Sequence, residues 1–198
     1  MSKLIDTPRG PARLHVLEAE SPRALLAIAP GASGSVEAPD IQAVAAAVRA
    51  SGVTVAVVEP PYAVAGRRTP PRGPASDEAW LAAVAQLQSR YPGLPLVTAG
   101  RSFGSRVACR TAIEQGSLGV LCLAFPLHPP GKPEQSRLSD LEAADGVPVL
   151  VVQGRRDAFG QTPPAKRREV LLVDGDHSLR KDHDVIVARV TRWLDSLL

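Results

Sequence analysis

Six short and almost continuously apolar runs recur along the chain, and stretches with helical spacing lie between most of them. The apolar runs cover residues 24–29, 53–58, 95–99, 118–123, 148–153 and 169–173. The helical patterns cover residues 40–50, 77–90, 105–115 and 181–197. Parallel strands that are covered on both faces have near-continuous apolar sequences, and strands that alternate with helices build βαβ units. The sequence therefore predicts an α/β fold with a mainly parallel central sheet and helices on both faces.

The boundaries of these elements carry further signals. Residues 13–18 alternate apolar and polar side chains, which predicts an antiparallel edge strand. Asp40 and Asp77 stand at the start of Ala-rich segments and are predicted helix N-caps. Predicted helices are followed by Gly52, Gly93 and Gly116, at the position just after a helix where glycine is favoured. Two irregular segments, residues 59–76 and 124–137, each follow a strand, at the sheet edge where open α/β folds bind ligands.

Composition excludes several classes of function. A chain of 198 residues with 44% hydrophobic residues is expected to form one domain over residues 1–198. The net charge is only +3, and seven aromatic rings (two Trp, two Tyr, three Phe) offer no stacking platform for bases. We therefore expect no nucleic-acid partner. No apolar stretch is long enough for a signal peptide or a membrane span, so we expect a cytoplasmic protein with no membrane partner.

The two cysteines do not have the spacing of a metal or disulfide motif. Cys109 and Cys122 each lie in an apolar run without a CxxC pattern, which indicates buried, reduced thiols in a reducing compartment. No cofactor is expected from the sequence.

The pentapeptide GRSFG, residues 100–104, stands where strand 95–99 is predicted to become helix 105–115. Glycine accepts sharp backbone turns and close packing of helix on strand, so two glycines around Ser102 predict a strained strand-to-helix turn that exposes the hydroxyl. An ordinary tight turn remains the alternative. A Ser hydroxyl is a weak nucleophile, and it needs a His base that a carboxylate orients.

A carboxylate and an imidazole follow the next predicted strands in the required chain order. Asp157 comes just after strand 148–153, and His177 comes just after strand 169–173. Asp157 is also a residue that turns favour, and His15, His128 and His183 compete with His177 for the role of base. A mixed metal site is a further alternative, formed by Asp174, Asp176, His177, Asp182, His183 and Asp184. We disfavour it because Asp182 and Asp184 also suit a helix N-terminus.

An oxyanion hole requires two backbone N–H donors, one after the nucleophile and one in the loop after an earlier strand. Phe103 supplies the first in this sequence. For the second we select Ala32, in the small-residue loop that follows strand 24–29. A flexible glycine-rich connection remains the alternative for that loop.

On these residues the chain resembles the α/β-hydrolase superfamily, and within it the small dienelactone-hydrolase-like group. The similarity is greatest to the bacterial branch of an α/β-hydrolase-like domain that also occurs in a testis-expressed mammalian protein and in a subunit of a nuclear acetyltransferase complex. It spans almost the whole chain. The matching stretches are APGASGS (29–35), GRSFGSRVA (100–108), PLHPPGKPEQSR (126–137), PVLVVQGRRDAFG (148–160) and DGDHSL (174–179).

The resemblance implies an α/β-hydrolase fold without a cap domain, and a Ser102, Asp157 and His177 triad with an oxyanion hole near Ala32 and Phe103. One departure concerns the loop after residue 29, where the family usually has His-Gly and this chain has Pro30-Gly31. The proposed donor lies two residues further on, so the substitution alters loop rigidity more than the number of donors.

Two functions follow as hypotheses. The first is a serine hydrolase, carboxylesterase or thioesterase-like, that acts on a small-molecule acyl substrate through an acyl-enzyme. The second is a non-catalytic binding or scaffold module that retains the fold. Substrate contacts are expected from the irregular loops, through Tyr62, Arg67 and His128. A solvated basic surface is the alternative for these residues.

Overall fold

An eight-stranded sheet forms the centre of the protein in the computed structural model, which describes residues 2–198. The strands are β1 (Ser2–Ile5), β2 (Ala12–Leu17), β3 (Ala24–Ala29), β4 (Val53–Glu59), β5 (Leu96–Arg101), β6 (Val120–Leu123), β7 (Val149–Gly154) and β8 (Arg168–Val173). Their spatial order is β1-β2-β4-β3-β5-β6-β7-β8. The β1–β2 and β2–β4 pairs are antiparallel, and every other pair is parallel. The predicted α/β class and mainly parallel sheet are confirmed.

Helices cover both faces of this sheet. They are α1 (Pro39–Ala50), α2 (Pro61–Val64), α3 (Ala75–Arg90), α4 (Phe103–Thr111), α5 (Leu138–Glu142) and α6 (His183–Asp195). Along β3, Leu26 and Ile28 pack into the core that α1 and α6 complete, whereas Leu25 and Ala27 pack into the core that α3 and α4 complete. Successive side chains of a strand point to opposite faces, so an unbroken apolar run buries both. Between residues 2 and 198 no helical lid domain is inserted.

Two local predictions are wrong, and one strand was not predicted. The strand predicted at residues 13–18 is β2, which is antiparallel as expected but not an edge strand, because β1 pairs with its outer side. Strand β1 is short, and three of its four residues are exposed, so it shows no apolar pattern. The segment 59–76, predicted to be irregular, contains α2 and the start of α3.

The two predicted N-caps are also wrong. Helix α1 begins at Pro39, and α3 begins at Ala75, so Asp40 and Asp77 lie within the first turns. A proline at the first helical position has no N–H to satisfy and already has a helical φ angle, which favours the earlier start of α1. Both carboxylates instead bind arginines on other elements, as described below for Asp40.

The structure confirms that both cysteine thiols are buried. Cys109 and Cys122 are free and buried, with their Sγ atoms 3.5 Å apart. The hydrogen bond to Cys122, together with burial, raises the pKa of the Cys109 thiol well above its ordinary value, so it remains protonated. Across residues 2–198, no helix is both long and apolar enough to cross a membrane.

Candidate active site

Ser102 lies in a sharp turn between β5 and α4. Its backbone has φ 51° and ψ −115°, a region that costs a non-glycine residue about 1–3 kcal/mol. The turn is fixed by a hydrogen bond of 2.8 Å from the Ser102 N–H to the Leu123 carbonyl. A Cβ on Gly100 would lie 2.2 Å from the Gly104 carbonyl, and one on Gly104 would lie 2.1 Å from the Ala29 carbonyl. Both glycines are therefore needed for the close packing of the turn.

The hydroxyl of Ser102 is hydrogen-bonded to the imidazole of His177. The Oγ to Nε2 distance is 2.7 Å, although the two residues are 75 positions apart in the chain. His177 follows β8, and Ser102 follows β5, so both lie at the carboxyl edge of the same parallel set of strands. With Nε2 as acceptor, this imidazole is placed to take the hydroxyl proton.

Asp157, which follows β7, accepts a hydrogen bond from the other nitrogen of His177. The distances from Nδ1 are 2.9 Å to Oδ2 and 3.1 Å to Oδ1, and the side chain of Asp157 is fully buried. The carboxylate also accepts from the Phe159 N–H at 2.9 Å and from the Gln153 amide at 3.3 Å. Because Nδ1 of His177 donates to this carboxylate, Nε2 is left facing the Ser102 hydroxyl, so Asp157 fixes the tautomer and the orientation of the imidazole.

Gln153 organises the loop that carries this carboxylate. Its side-chain NH₂ also donates to the Phe125 carbonyl at 3.0 Å and to the Gly160 carbonyl. Its side-chain oxygen accepts from the N–H and the hydroxyl of Thr162, each at 3.0 Å. Sequence reasoning gave Gln153 no role, because its partners belong to loops whose proximity the sequence does not show.

A second residue without a predicted role, Arg101, connects two elements beside Ser102. Its Nε lies 3.3 Å from Oδ2 of Asp40, whose side chain is fully buried, and its Nη2 donates to the His177 carbonyl at 3.4 Å. Burial raises the pKa of Asp40, and the positive charge of Arg101 opposes that shift. The guanidinium therefore ties the first turn of α1 to the loop that carries His177.

The two proposed oxyanion donors lie in the loop after β3 and at the start of α4. Within residues 2–198, neither the Ala32 nor the Phe103 N–H donates a hydrogen bond. The Ala32 carbonyl accepts a hydrogen bond of 3.0 Å from the hydroxyl of Tyr62. Burial raises the pKa of Tyr62 to about 12, so at neutral pH this hydroxyl is a donor that holds the loop.

Two further residues predicted to contact the substrate are Arg67 and His128. Arg67 is exposed and borders a groove next to Tyr62. His128 is half-buried, with its Nδ1 2.8 Å from the Pro129 carbonyl and its ring against Gly160.

The other histidines that competed with His177 lie elsewhere. His15 lies on β2 beside Glu59, and His183 begins α6 with its Nε2 2.7 Å from the Leu179 carbonyl. Of the four histidines, His177 is the one hydrogen-bonded to Ser102.

The alternative of a metal site does not agree with the contacts. Asp174 pairs with Arg156 and Lys181, which hold its pKa below the ordinary range, and Asp182 accepts from the Asp174 N–H at 2.8 Å. Residues 2–198 contain no group of three His, Cys, Asp or Glu side chains that could hold a metal ion.

Comparisons with known proteins agree with this architecture. Residues 22–188 match a family model described as the alpha/beta hydrolase domain. A search of curated proteins found no significant match.

Solved structures share the fold at low sequence identity. An alpha-beta serine hydrolase homologue from Coxiella burnetii is 16% identical, with a TM-score of 0.79 over 98% of this chain and 97% of that one. A serine hydrolase without lid from Xanthomonas campestris is 18% identical, with a TM-score of 0.81 over 100% and 94% of the two chains. Est1E from Butyrivibrio proteoclasticus, solved with ferulic acid, is 17% identical, with a TM-score of 0.70 over 98% of each chain.

Proposed function

Because the chain belongs to the alpha/beta hydrolase family, we propose that it is a serine hydrolase that cleaves a small ester or thioester through Ser102, His177 and Asp157. The observation that carries this proposal is the unbroken series of hydrogen bonds through these three side chains. The Ser102 Oγ to His177 Nε2 distance is 2.7 Å, and the His177 Nδ1 to Asp157 Oδ2 distance is 2.9 Å.

In the proposed reaction, the Ser102 oxygen attacks the acyl carbonyl carbon while its proton moves to Nε2 of His177. The carbonyl oxygen becomes an oxyanion that the N–H groups of Phe103 and Ala32 bind. Asp157 stabilises the imidazolium. When the tetrahedral intermediate collapses, Nε2 returns the proton to the leaving oxygen or sulfur, and the acyl group remains on Ser102. A water molecule, deprotonated by His177, then releases the acid.

A finer family placement is also part of the proposal. We assign the chain to the dienelactone-hydrolase-like group, in the bacterial branch shared with the testis-expressed protein and the acetyltransferase-complex subunit. The sequence PLHPPGKPE (126–134) supports the branch assignment, and the elbow sequence GRSFG supports the group. A scaffold role has less support, because a scaffold has no need of a hydrogen-bonded Ser, His and Asp series.

The experiment is covalent labelling by a fluorophosphonate probe, which reacts with an activated serine. Wild type should label, Ser102→Ala should not, and His177→Ala should label at least about a thousandfold more slowly. His15→Ala is the matched control, since β2 lies three strands from β5, about 14 Å away across the sheet. It should label at the wild-type rate. A folded wild type that does not react, or a His177→Ala variant that reacts normally, would contradict the proposal.

A further inference from the structure

An apolar cavity adjoins the nucleophile turn. It lies between the ends of β3 and β4 and the first turns of α3 and α4, with walls that include Pro30, Val58 and Trp80. Phe103 and Gly104, the two residues after Ser102, complete the wall on the nucleophile side. The centre of a water-sized sphere can move through about 30 Å³ of this space.

One polar side chain in the wall has no partner in the part of the chain that the structure describes. The hydroxyl of Ser76, in the first turn of α3, is buried and forms no hydrogen bond within residues 2–198. Other polar groups of the wall are already used, because the Tyr62 hydroxyl donates to the Ala32 carbonyl and the Trp80 indole donates to Gln115. A buried hydroxyl without a partner is unfavourable, so Ser76 provides a hydrogen-bonding group for whatever fills the cavity.

The position of the cavity indicates which part of a substrate it would hold, the acyl group or the leaving group. The leaving group must lie beside His177, which protonates it, and His177 borders a different, open cleft together with Arg156 and Arg180. His177 is not part of the wall of the apolar cavity, whereas Phe103, a proposed oxyanion donor, is. The cavity is therefore on the acyl side of the scissile bond.

Resting on the proposed function, we propose that this cavity binds the acyl chain, and that Ser76 makes the enzyme prefer short acyl groups containing an ether, hydroxyl or keto oxygen over plain alkyl groups. The space limits the chain length. One water needs roughly 10–15 Å³ by this measure, so the cavity accommodates about two or three non-hydrogen atoms beyond the carbonyl carbon.

The test compares p-nitrophenyl methoxyacetate with p-nitrophenyl butyrate, which have the same number of chain atoms and differ by one oxygen. Each kcat/KM is divided by the rate constant for alkaline hydrolysis of the same ester. This corrects the comparison for the difference in intrinsic reactivity between the two esters. Wild type should prefer the methoxyacetate. Ser76→Ala should reduce this preference by about 2-fold to 12-fold, the effect of one neutral hydrogen bond. Ser89→Ala, on the exposed end of the same helix, should leave it unchanged.

A second variant tests the position of the cavity and uses a shorter ester, p-nitrophenyl acetate, for comparison. Ala79 lies in the cavity wall, so Ala79→Val should lower kcat/KM for p-nitrophenyl butyrate at least about fivefold more than for p-nitrophenyl acetate. An unchanged preference in Ser76→Ala, or equal losses for butyrate and acetate in Ala79→Val, would overturn the inference while leaving the hydrolase function in place. A wild type that neither labels nor hydrolyses the acetate would overturn both.

Discussion

The ring of Phe159 stacks on the imidazole of His177, with 4.0 Å between the ring centroids and 29° between the planes. The N–H of the same residue donates to Oδ1 of Asp157. Phe159 therefore contacts both the imidazole of His177 and the carboxylate of Asp157. Aromatic contact on one face restricts rotation of the imidazole, so the ring remains aligned with Ser102.

We predict that Phe159→Leu slows fluorophosphonate labelling of Ser102 by about 2-fold to 12-fold, since a stacked aromatic pair contributes about 0.5–1.5 kcal/mol beyond area burial. Leucine retains an apolar side chain and the backbone N–H but not the flat face. Phe159→Tyr retains the face and should label at nearly the wild-type rate. Equal rates for the leucine and tyrosine variants would show that the stacking has no positioning role.

For Gln153, we predict that replacement by Leu lowers kcat with little change in KM and destabilises the fold by about 2–4 kcal/mol. The change leaves several buried groups without partners, among them the Phe125 carbonyl and the Thr162 hydroxyl, each at a cost of about 1–3 kcal/mol before relaxation. Steady-state kinetics and urea unfolding measure the two effects. Gln161→Leu, on the exposed part of the same loop, is the control. A loss of stability without any loss of kcat would limit Gln153 to a structural role.

The N–H of Ala32, in the loop after β3, is the proposed second oxyanion donor, and its contribution can be tested by substitution. Ala32→Pro removes the N–H, and we expect kcat to fall by about 100-fold to 1000-fold, the effect of losing one oxyanion donor. Ala32→Gly keeps the N–H and should retain activity within about fivefold of wild type. Thermal unfolding of both variants checks that the loop change is local. Full activity in a folded Ala32→Pro variant would assign the second donor to another residue.

Asp40 should make stability depend on pH in a defined direction. Burial raises its pKa in the folded state above the ordinary 3.8, so its contribution to stability is fully present below pH 3.8 and is lost as pH rises through the folded-state pKa. Asp40→Asn does not titrate. The free energy of unfolding of the variant minus that of wild type should therefore increase with pH across this window and then level off.

Urea unfolding at a series of pH values between about 4 and 8 measures this difference. Glu37→Gln is the control, because its side chain is exposed just before the same helix. A difference that decreases with rising pH would mean that the ion pair with Arg101, rather than burial, dominates the pKa of Asp40.

The sequence alone determined the class of the fold and the candidate nucleophile, base and orienting carboxylate. The apolar runs are near-continuous because each parallel strand buries both faces, and that pattern is visible without knowing which strands pair. The order of Ser102, Asp157 and His177 after separate strands indicated one shared sheet edge. The glycines at 100 and 104 indicated the turn, since only a residue without a Cβ fits there.

Only the tertiary structure decided what surrounds those groups. Arg101 meets Asp40 across 61 positions, and among residues 2–198 the Ser76 hydroxyl has no partner in a cavity whose walls include residues of β3, β4, α2, α3 and α4. Strand β1 adds to the sheet through backbone hydrogen bonds to β2, which need no apolar pattern in its own sequence. The spacing of apolar side chains is a property of one strand or helix, so it can be recognised in the sequence. Hydrogen bonds, ring stacking and cavities between distant segments form only once the chain is folded.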